Sequence, residues 1–170
     1  MRLSVKYLGM ITRARARKSD TGEIAGAGAA AGKLRLRAWL QLLFAVQEIE
    51  RSLRQYLSDE FDETLPRLDV LAALSRVPEG MTMTALSGSL RLSKGNITGL
   101  IGRLVRDGLV ARQAKDGRSS IVALTPQGST LFSKMAEGHR RWLDGLLKPV
   151  PVDDLRDLVE IVARLRKGLR

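Results

Sequence analysis

Apolar residues recur at every third or fourth position along much of the chain, which is the spacing of amphipathic helices. The first such stretch predicts a long helix from Lys33 to about Phe61 with one face to bury. A second, shorter helix follows Pro66 and ends before the turn at 78–80. The apolar stripes are Leu36, Trp39, Leu40, Leu43, Val46, Ile49, Leu53, Tyr56 and Leu57 in the first helix and Leu68, Leu71 and Leu74 in the second.

Two further helices are predicted towards the C-terminal end. Thr125 has the side chain of an N-cap, and Pro126 suits the first helical position. That helix ends before Pro149 and Pro151, and Asp153 is expected to cap the last helix. Their apolar stripes are Leu131, Phe132, Met135, His139, Trp142, Leu143 and Leu146, then Leu155, Leu158, Val159, Val162, Leu165 and Leu169.

Between these helices, residues 82–108 predict two short helices joined by a turn. Thr82 or Thr84 can cap the first of them. The turn follows at 91–92, and Ser93 caps the second helix. On a helical wheel the second helix has an apolar side of Ile97, Leu100, Ile101 and Leu104, and an opposite side of Gly95, Gly99, Gly102 and Arg106 flanked by Lys94, Asn96, Thr98 and Arg103.

The glycines on that second side make it unusually bare. Each costs about 1 kcal/mol of helix stability relative to alanine. We interpret the bare side as a surface that lets the helix backbone approach the major-groove floor or the phosphates of duplex DNA, while Lys94, Asn96, Thr98 and Arg103 make the polar contacts. The alternative is neutral drift on a solvated helix.

A charged hairpin follows directly. Residues 109–114 and 119–124 predict two strands, and Asp116-Gly117 is a strong hairpin signal. Arg118 at the tip suits a narrow minor groove, and Asp116 is placed to hold it extended. An isolated charged turn would be the simpler interpretation, but its place after a recognition-type helix favours a wing. The predicted DNA contacts are Ser93, Lys94, Gly95, Asn96, Thr98, Gly99, Arg103, Arg112, Lys115, Asp116, Arg118 and Ser119.

Composition supports a polyanionic partner. The 170 residues include 29 Lys and Arg against 18 Asp and Glu, a formal charge of +11, with 44% apolar residues to build a core. The absence of cysteine excludes disulfides, thiolate metal sites and thiol nucleophiles. No apolar run approaches the roughly 20 residues that span a bilayer, and no secretory signal is evident, so we expect a cytoplasmic protein with no membrane contact.

The long apolar stripes at both ends exceed what one protomer can bury around a small DNA-binding core. We therefore expect a homodimer. A two-fold dimer places two recognition helices about one DNA turn apart and predicts a pseudo-palindromic operator. The expected fold is mainly α with a small β-hairpin wing, a winged helix-turn-helix with N- and C-terminal dimerisation helices.

Several motifs together resemble the MarR family of bacterial transcription regulators. They are Gly108-Leu109-Val110 with Arg112, Asp116-x-Arg118, and Leu124-Thr125-Pro126-x-Gly128, within a similarity that covers about residues 34–169. The resemblance implies a dimeric winged-helix repressor that a small ligand releases from DNA. Members often carry two adjacent arginines after the wing aspartate; here Gly117 replaces the first, so Arg118 inherits the minor-groove role.

A finer resemblance concerns Thr64-Leu65-Pro66-Arg67-Leu68-Asp69 and Gly95-Asn96-Ile97-Thr98-Gly99, which are similar to the branch controlling catabolism of aromatic acids. Some of that branch respond to aromatic acyl-CoA thioesters, whose phosphates arginines can hold. The candidate ligand contacts are Arg37, Trp39, Phe44, Arg67, His139 and Trp142. For these residues the alternatives are a satisfied interface histidine, core tryptophans and a surface arginine.

The chain is expected to divide into four parts. Segment 1–32 is basic and Ala/Gly-rich, and we interpret it as a mobile or partly helical arm that adds phosphate contacts; the alternative is a functionless extension or a misplaced start codon. Segment 33–65 forms a helix for dimerisation and a pocket wall. Segment 66–124 is the DNA-binding domain, and 125–170 supplies dimerisation helices.

Three other functions fit the sequence less well. An enzyme is disfavoured because one histidine, no cysteine, no phosphate-binding loop and no metal-ligand spacing leave little for chemistry, and no cofactor or metal is expected. An architectural or weakly selective nucleic-acid binder needs only the charge. A winged helix repurposed for protein contacts fits the fold but not the basic recognition helix.

Overall fold

The computed structural model describes residues 24–116 and 119–169, with only the backbone described for a few of them. These residues form six helices and a three-stranded sheet, which confirms the expected fold class. The elements are α1 (Ile24–Phe61), α2 (Leu65–Ser75), β1 (Met81–Thr82), α3 (Met83–Leu90), α4 (Lys94–Arg106), β2 (Val110–Asp116), β3 (Ser119–Leu124), α5 (Pro126–Leu147) and α6 (Val152–Lys167).

Helix α1 begins at Ile24, earlier than the predicted start at Lys33. Five alanines between Ile24 and Lys33 favour helix strongly enough to outweigh the three glycines among them. The chain divides into two compact units, residues 1–48 and 49–170. In the described part of the first unit, Leu36, Trp39 and Val46 of the predicted apolar stripe are exposed, Leu40 and Leu43 are half-buried, and Trp39 keeps 49% of its surface accessible.

The core of the second unit draws on α1, α2, α3, α4, α5 and the sheet. Leu57 of α1, Leu71 of α2, Leu86 of α3 and Met135 of α5 are fully buried, and Leu104 joins them from α4. This arrangement explains the short apolar stripes of α2 and α4, because each presents one side to the same cluster. Both stripes were predicted from their spacing.

The helix-turn-helix is held by local side-chain hydrogen bonds. The Thr82 hydroxyl accepts from the Ala85 amide at 3.2 Å and caps α3, and the Ser93 hydroxyl accepts from the Asn96 amide at 3.3 Å and caps α4. Arg91 adopts a left-handed conformation at the end of α3, with φ of 52°. These contacts confirm the predicted caps and turn, which orient α4 after α3.

The sheet has the order β1-β3-β2, and both pairs are antiparallel. Strands β2 and β3 form the predicted hairpin, with Val110 opposite Leu124 and Asp116 opposite Ser119. Strand β1 was not predicted, because two residues are too few to show an alternating pattern. It pairs with β3 and so connects the start of α3 to the hairpin.

The hairpin is also attached to the start of α5. The Thr125 hydroxyl donates to the Gly108 carbonyl at 2.7 Å and accepts from the Gly128 amide at 3.0 Å, as its predicted capping role requires. Gly128 is buried, and a Cβ added there would overlap the carbonyl oxygen of Leu109 and lie 2.8 Å from its carbonyl carbon. Glycine at 128 therefore allows α5 to pack directly on the backbone where β2 begins.

The prediction that Asp153 caps the last helix is wrong. Helix α6 begins at Val152 after Pro151, and no side chain caps it by a hydrogen bond. Asp153 lies in the first turn instead, where its charge interacts favourably with the helix dipole. The predicted apolar stripe of α6 is exposed along much of its length, at Leu158, Val159, Val162 and Leu165, and Ile161 is exposed as well.

Candidate nucleic-acid interface

Helix α4 divides into a buried and an exposed side, as its sequence predicts. Ile97, Leu100, Ile101 and Leu104 are buried in the core. The exposed residues include six of the predicted DNA contacts, namely the cap Ser93 with Gly95, Asn96, Thr98, Gly99 and Arg103. Lys94 is the first residue of the helix. The fold thus presents one continuous polar and glycine-rich surface along α4.

Packing within the chain does not explain the glycines of this surface. A Cβ at Gly95 would meet no atom within 4 Å, and a Cβ at Gly99 would approach only the tip of Arg103, at 3.9 Å. Gly102 is similar, with the tip of Arg106 at 4.0 Å. Alanine would fit at all three positions, so the folded chain gains nothing from the roughly 1 kcal/mol that each glycine costs in a helix.

The hairpin and α4 meet at the side of this surface. Arg112 of β2 donates from Nε to the hydroxyl of Ser120 at 2.8 Å, and its side chain is exposed. Thr98 and Arg112 line the same small cavity of 220 Å³, together with Met83 and Thr84. Arg112 is therefore next to the exposed side of α4, although the sequence alone could not establish that proximity.

The remaining predicted wing contacts are known only by their place in the chain. Lys115 and Asp116 end β2, and Ser119 begins β3. Arg118, the predicted minor-groove contact, lies outside the described residues together with Gly117.

A surface cavity of 980 Å³, which Thr98 and Arg112 do not line, also lies beside α4 and was not predicted. Its walls come from the α1–α2 connection, the start of α2 and the exposed side of α4. They include Phe61, Glu63, Arg67, Leu92, Gly95, Asn96, Gly99, Arg103 and Asp107.

Arg67, a candidate ligand contact, is bound by two carboxylates at this cavity. Its guanidinium pairs with Glu63 through Nε and through Nη2, the latter at 3.0 Å, and donates from Nη1 to Asp107 at 2.6 Å. A ligand anion would have to displace one of these partners. Glu63 is only four positions before Arg67, so the sequence offered it as a nearby partner, whereas Asp107 is forty positions further along and nothing in the sequence signalled it.

Two other ligand candidates, His139 and Trp142, lie against each other on α5. Their rings stack with centroids 5.9 Å apart. Trp142 also stacks on Tyr56 at 6.3 Å, and Tyr56 meets Phe61 edge-on at 6.0 Å. Phe61 in turn lines the large cavity. Sequence reasoning missed Tyr56 and Phe61 as members of this aromatic row, because Tyr56 belongs to the apolar stripe and Phe61 marked only the end of the first helix.

Arg37, Trp39 and Phe44 belong to the unit that ends at residue 48, and all three are exposed. Within residues 24–116 and 119–169, no group of histidine and acidic side chains is arranged to hold a metal ion. The helices of this same part of the chain include none that is long and apolar enough to cross a membrane.

Comparison with known sequences gives a consistent result. A sequence model described as the MarR family matches residues 62–119. The transcriptional activatory protein BadR of Rhodopseudomonas palustris is 43% identical over 106 residues, which are 59% of this chain and 61% of that protein. The HTH-type transcriptional regulator YdgJ of Bacillus subtilis is 26% identical over 61% of this chain and 63% of its own length. The matched part of the chain thus spans about three fifths of each of these relatives.

Solved structures extend the similarity. The crystal structure of a MarR family transcriptional regulator from Silicibacter pomeroyi is 31% identical and covers 82% of this chain and 98% of its own, with a TM-score of 0.69. The MepR–DNA complex of Staphylococcus aureus is 18% identical, covers 77% and 96% of the two chains, and has a TM-score of 0.67, which is a likeness of fold. The relatives are transcriptional regulators and not enzymes. By its similarity to the Silicibacter regulator over nearly the whole of that chain, this protein belongs to the MarR family of transcriptional regulators.

Proposed function

We propose that the chain is a homodimeric, ligand-responsive regulator that binds a specific pseudo-palindromic operator in duplex DNA. The observation that carries the proposal is the exposed side of α4, which is polar, glycine-rich and adjacent to Arg112 of the hairpin. The charge of +11 supports it, since each phosphate contact adds affinity by releasing counterions. The fold is also that of MepR, which was solved in complex with DNA.

The residues of α4 and those of the wing would contact different parts of the DNA. Asn96, Thr98 and Arg103 have side chains suited to base edges in the major groove. Ser93 and Lys94 lie at the N-terminus of α4, where a phosphate is stabilised by the helix dipole. In the wing, Arg118 enters the minor groove with Asp116 as its support, and Arg112, Lys115 and Ser119 contact the backbone.

Gly99→Ala tests whether the glycine surface serves close approach. The free energy of unfolding is expected to rise by about 0.5–1 kcal/mol, because alanine is the better helix former and meets no steric obstacle. It is also expected to bind DNA more weakly, because the added methyl group separates α4 from the groove. Chemical denaturation and fluorescence anisotropy check the two effects. A variant with higher stability and unchanged affinity would contradict close approach.

Dimerisation would use the helices at the two ends of the chain. The apolar stripe of α6 is exposed over several turns, and most of the stripe of α1 within residues 24–48 is exposed as well. Contiguous apolar surface of this extent is characteristic of an interface. A second copy of the chain is the natural partner, because two-fold symmetry is what a pseudo-palindromic operator matches.

For the ligand we propose a small aromatic compound or its CoA thioester, and for the regulated genes those of aromatic catabolism. His139 and Trp142 belong to an aromatic row that ends at a large cavity beside α4. Arg37, Trp39, Phe44 and Arg67 are the other proposed contacts, with the arginines suited to carboxylate or phosphate. The fold likeness includes PcaV of Streptomyces coelicolor, solved with its natural ligand at 21% identity.

Repression and activation differ in how the ligand changes DNA binding. We propose a repressor, which the ligand releases from DNA, as the family resemblance implies. The relative BadR is named an activatory protein, and an activator would keep its DNA or bind it more tightly when the ligand is added. In either case the ligand must bind the DNA-competent and the DNA-incompetent conformations with different affinities.

Fluorescence anisotropy on the intergenic DNA upstream of the protein's own gene tests the proposal. At physiological salt we expect binding at least about a thousandfold tighter than to scrambled DNA of the same length. Aromatic acids and their CoA thioesters are then titrated in, and one of them is expected to release the DNA. Equal binding to both DNAs, whatever the ligand, would favour the architectural binder instead.

A further inference from the structure

Three charged residues form a bridge across the DNA-binding unit, which we call the Arg67 bridge: Glu63, Arg67 and Asp107. Glu63 lies in the α1–α2 connection, Arg67 in the first turn of α2, and Asp107 at the C-terminal cap of α4. Arg67 contacts Glu63 with two nitrogens and Asp107 with a third, at 2.6 Å. One guanidinium therefore joins the α1–α2 connection to the end of α4.

The bridge differs from the other ion pairs in its burial. The Arg67 side chain is only 15% exposed and Glu63 only 6%, whereas the other described pairs have both partners at least half exposed. Burial opposes the charged form of Arg67, but its hydrogen bonds to Glu63 and Asp107 outweigh that effect and raise its pKa above the ordinary value.

The ion pair between Arg67 and Asp107, which we call the Asp107 arm of the bridge, lies where local forces would not place a carboxylate. Asp107 caps the C-terminus of α4, and the partial negative charge of a helix C-terminus repels an anion. Its side chain is 47% exposed, so water could solvate it without Arg67. The position is explained if the pairing serves to hold the end of α4 towards α2.

The ion pair between Arg67 and Asp107 would affect the orientation of the exposed side of α4. Helix α4 packs mainly on α3 and β2, while α2 packs mainly on α3, α5 and β3. The Arg67 bridge therefore adds a direct polar link between two helices whose other connection runs largely through α3. It also lies in the wall of the cavity that Gly95, Asn96 and Gly99 share.

We propose that Arg67 is a positioning residue for DNA recognition, which fixes the orientation of α4 relative to the α1–α2 connection through Asp107. The proposal rests on the proposed DNA binding. It predicts that loss of the Asp107 arm weakens selective binding without unfolding the protein, because the buried Glu63 keeps its partner. Arg67 itself need not contact DNA.

Asp107→Asn is the decisive variant, because its ordinary effects have the opposite sign. It removes one negative charge, which strengthens DNA binding generally, and it relieves the repulsion at the helix C-terminus, which stabilises α4. The proposal instead expects about tenfold weaker binding to the upstream intergenic DNA, typical of a coupled network, with an unchanged or higher unfolding midpoint. Binding to scrambled DNA should be unchanged or tighter.

The control is Asp144→Asn on α5. Asp144 pairs with exposed Arg140 at 2.9 Å, so the variant makes the same change in charge and removes one ion pair, but far from α4 in sequence and on another helix. It should bind the upstream DNA at least as well as the wild type. Asp107→Glu keeps a carboxylate for Arg67 and should recover most of the lost affinity.

Arg67→Lys tests the coupling. Lysine keeps a charge for Glu63 but lacks the fork that serves two carboxylates, so the fold should survive while the Asp107 arm is lost. The double variant Arg67→Lys, Asp107→Asn should be no weaker on DNA than either single variant, because both remove the same link. Full additivity, or wild-type affinity in Asp107→Asn, would overturn the proposal while leaving selective binding by the wild type intact. A wild type without selectivity would instead refute the proposed function, and this inference with it.

Discussion

Gly128→Ala is expected to destabilise the protein by about 3 kcal/mol, the upper range for overpacking a core. The added Cβ would overlap the carbonyl of Leu109, which is backbone and cannot move aside as a side chain would. Because Thr125 joins the same backbone to α5, the start of α5 and the base of the hairpin would have to separate. Equilibrium unfolding in denaturant at a fixed protein concentration measures the loss.

Gly145→Ala is the matched control for that variant. Gly145 lies in the same helix, and a Cβ there would meet no atom within 4 Å. The substitution should stabilise the protein by up to about 1 kcal/mol, the ordinary gain from alanine in a helix. Equal stability of the two variants would mean that α5 slides along the hairpin at little cost and that Gly128 does not set their packing.

Arg118→Ala is expected to weaken binding to the upstream intergenic DNA by roughly 100-fold, since each lost arginine contact costs about 1–3 kcal/mol and a dimer loses two. The physical reason is the strong negative potential of a narrow minor groove, which an arginine reads and an alanine cannot. Fluorescence anisotropy measures the affinity, and size-exclusion chromatography with circular dichroism checks that the variant is a folded dimer.

The control for the wing is Arg141→Ala. Arg141 is an exposed arginine of α5 that pairs with Glu137 at 3.2 Å, so its removal lowers the charge by the same amount away from the wing. It should change affinity only slightly, and equally for upstream and scrambled DNA. If Arg118→Ala behaved like Arg141→Ala, the hairpin would carry no base or shape recognition.

Local signals made most of the DNA-binding unit predictable. Thr82, Ser93 and Thr125 are caps that act within three residues. Ser93 and Thr125 were identified from the side chain and the helical pattern that follows, and Thr82 was one of two candidates. Asp153 looked equally suitable, but the helix begins before it, after Pro151. A cap is ambiguous in sequence when an acidic residue suits both the cap and the first turn.

The candidate site was predictable in part for the same reason. The burial of Ile97 and Leu104 follows from helical spacing, and the exposed side of α4 follows with it. The strand β1, the cavity beside α4 and the Asp107 link were not predicted, because each depends on residues that are distant along the chain. Sequence spacing carries no information about such long-range contacts.

The sequence by itself determined the helices, the hairpin and the polar side of α4, since these depend on periodicity, capping and turn chemistry over a few residues. Only the tertiary structure decided which surfaces meet: that Arg67 binds both Glu63 and Asp107, that Arg112 lies beside Thr98, and that Gly128 admits the Leu109 backbone. The reason is that these contacts form when the shared core brings separate elements together, and their energies depend on burial that no single segment possesses.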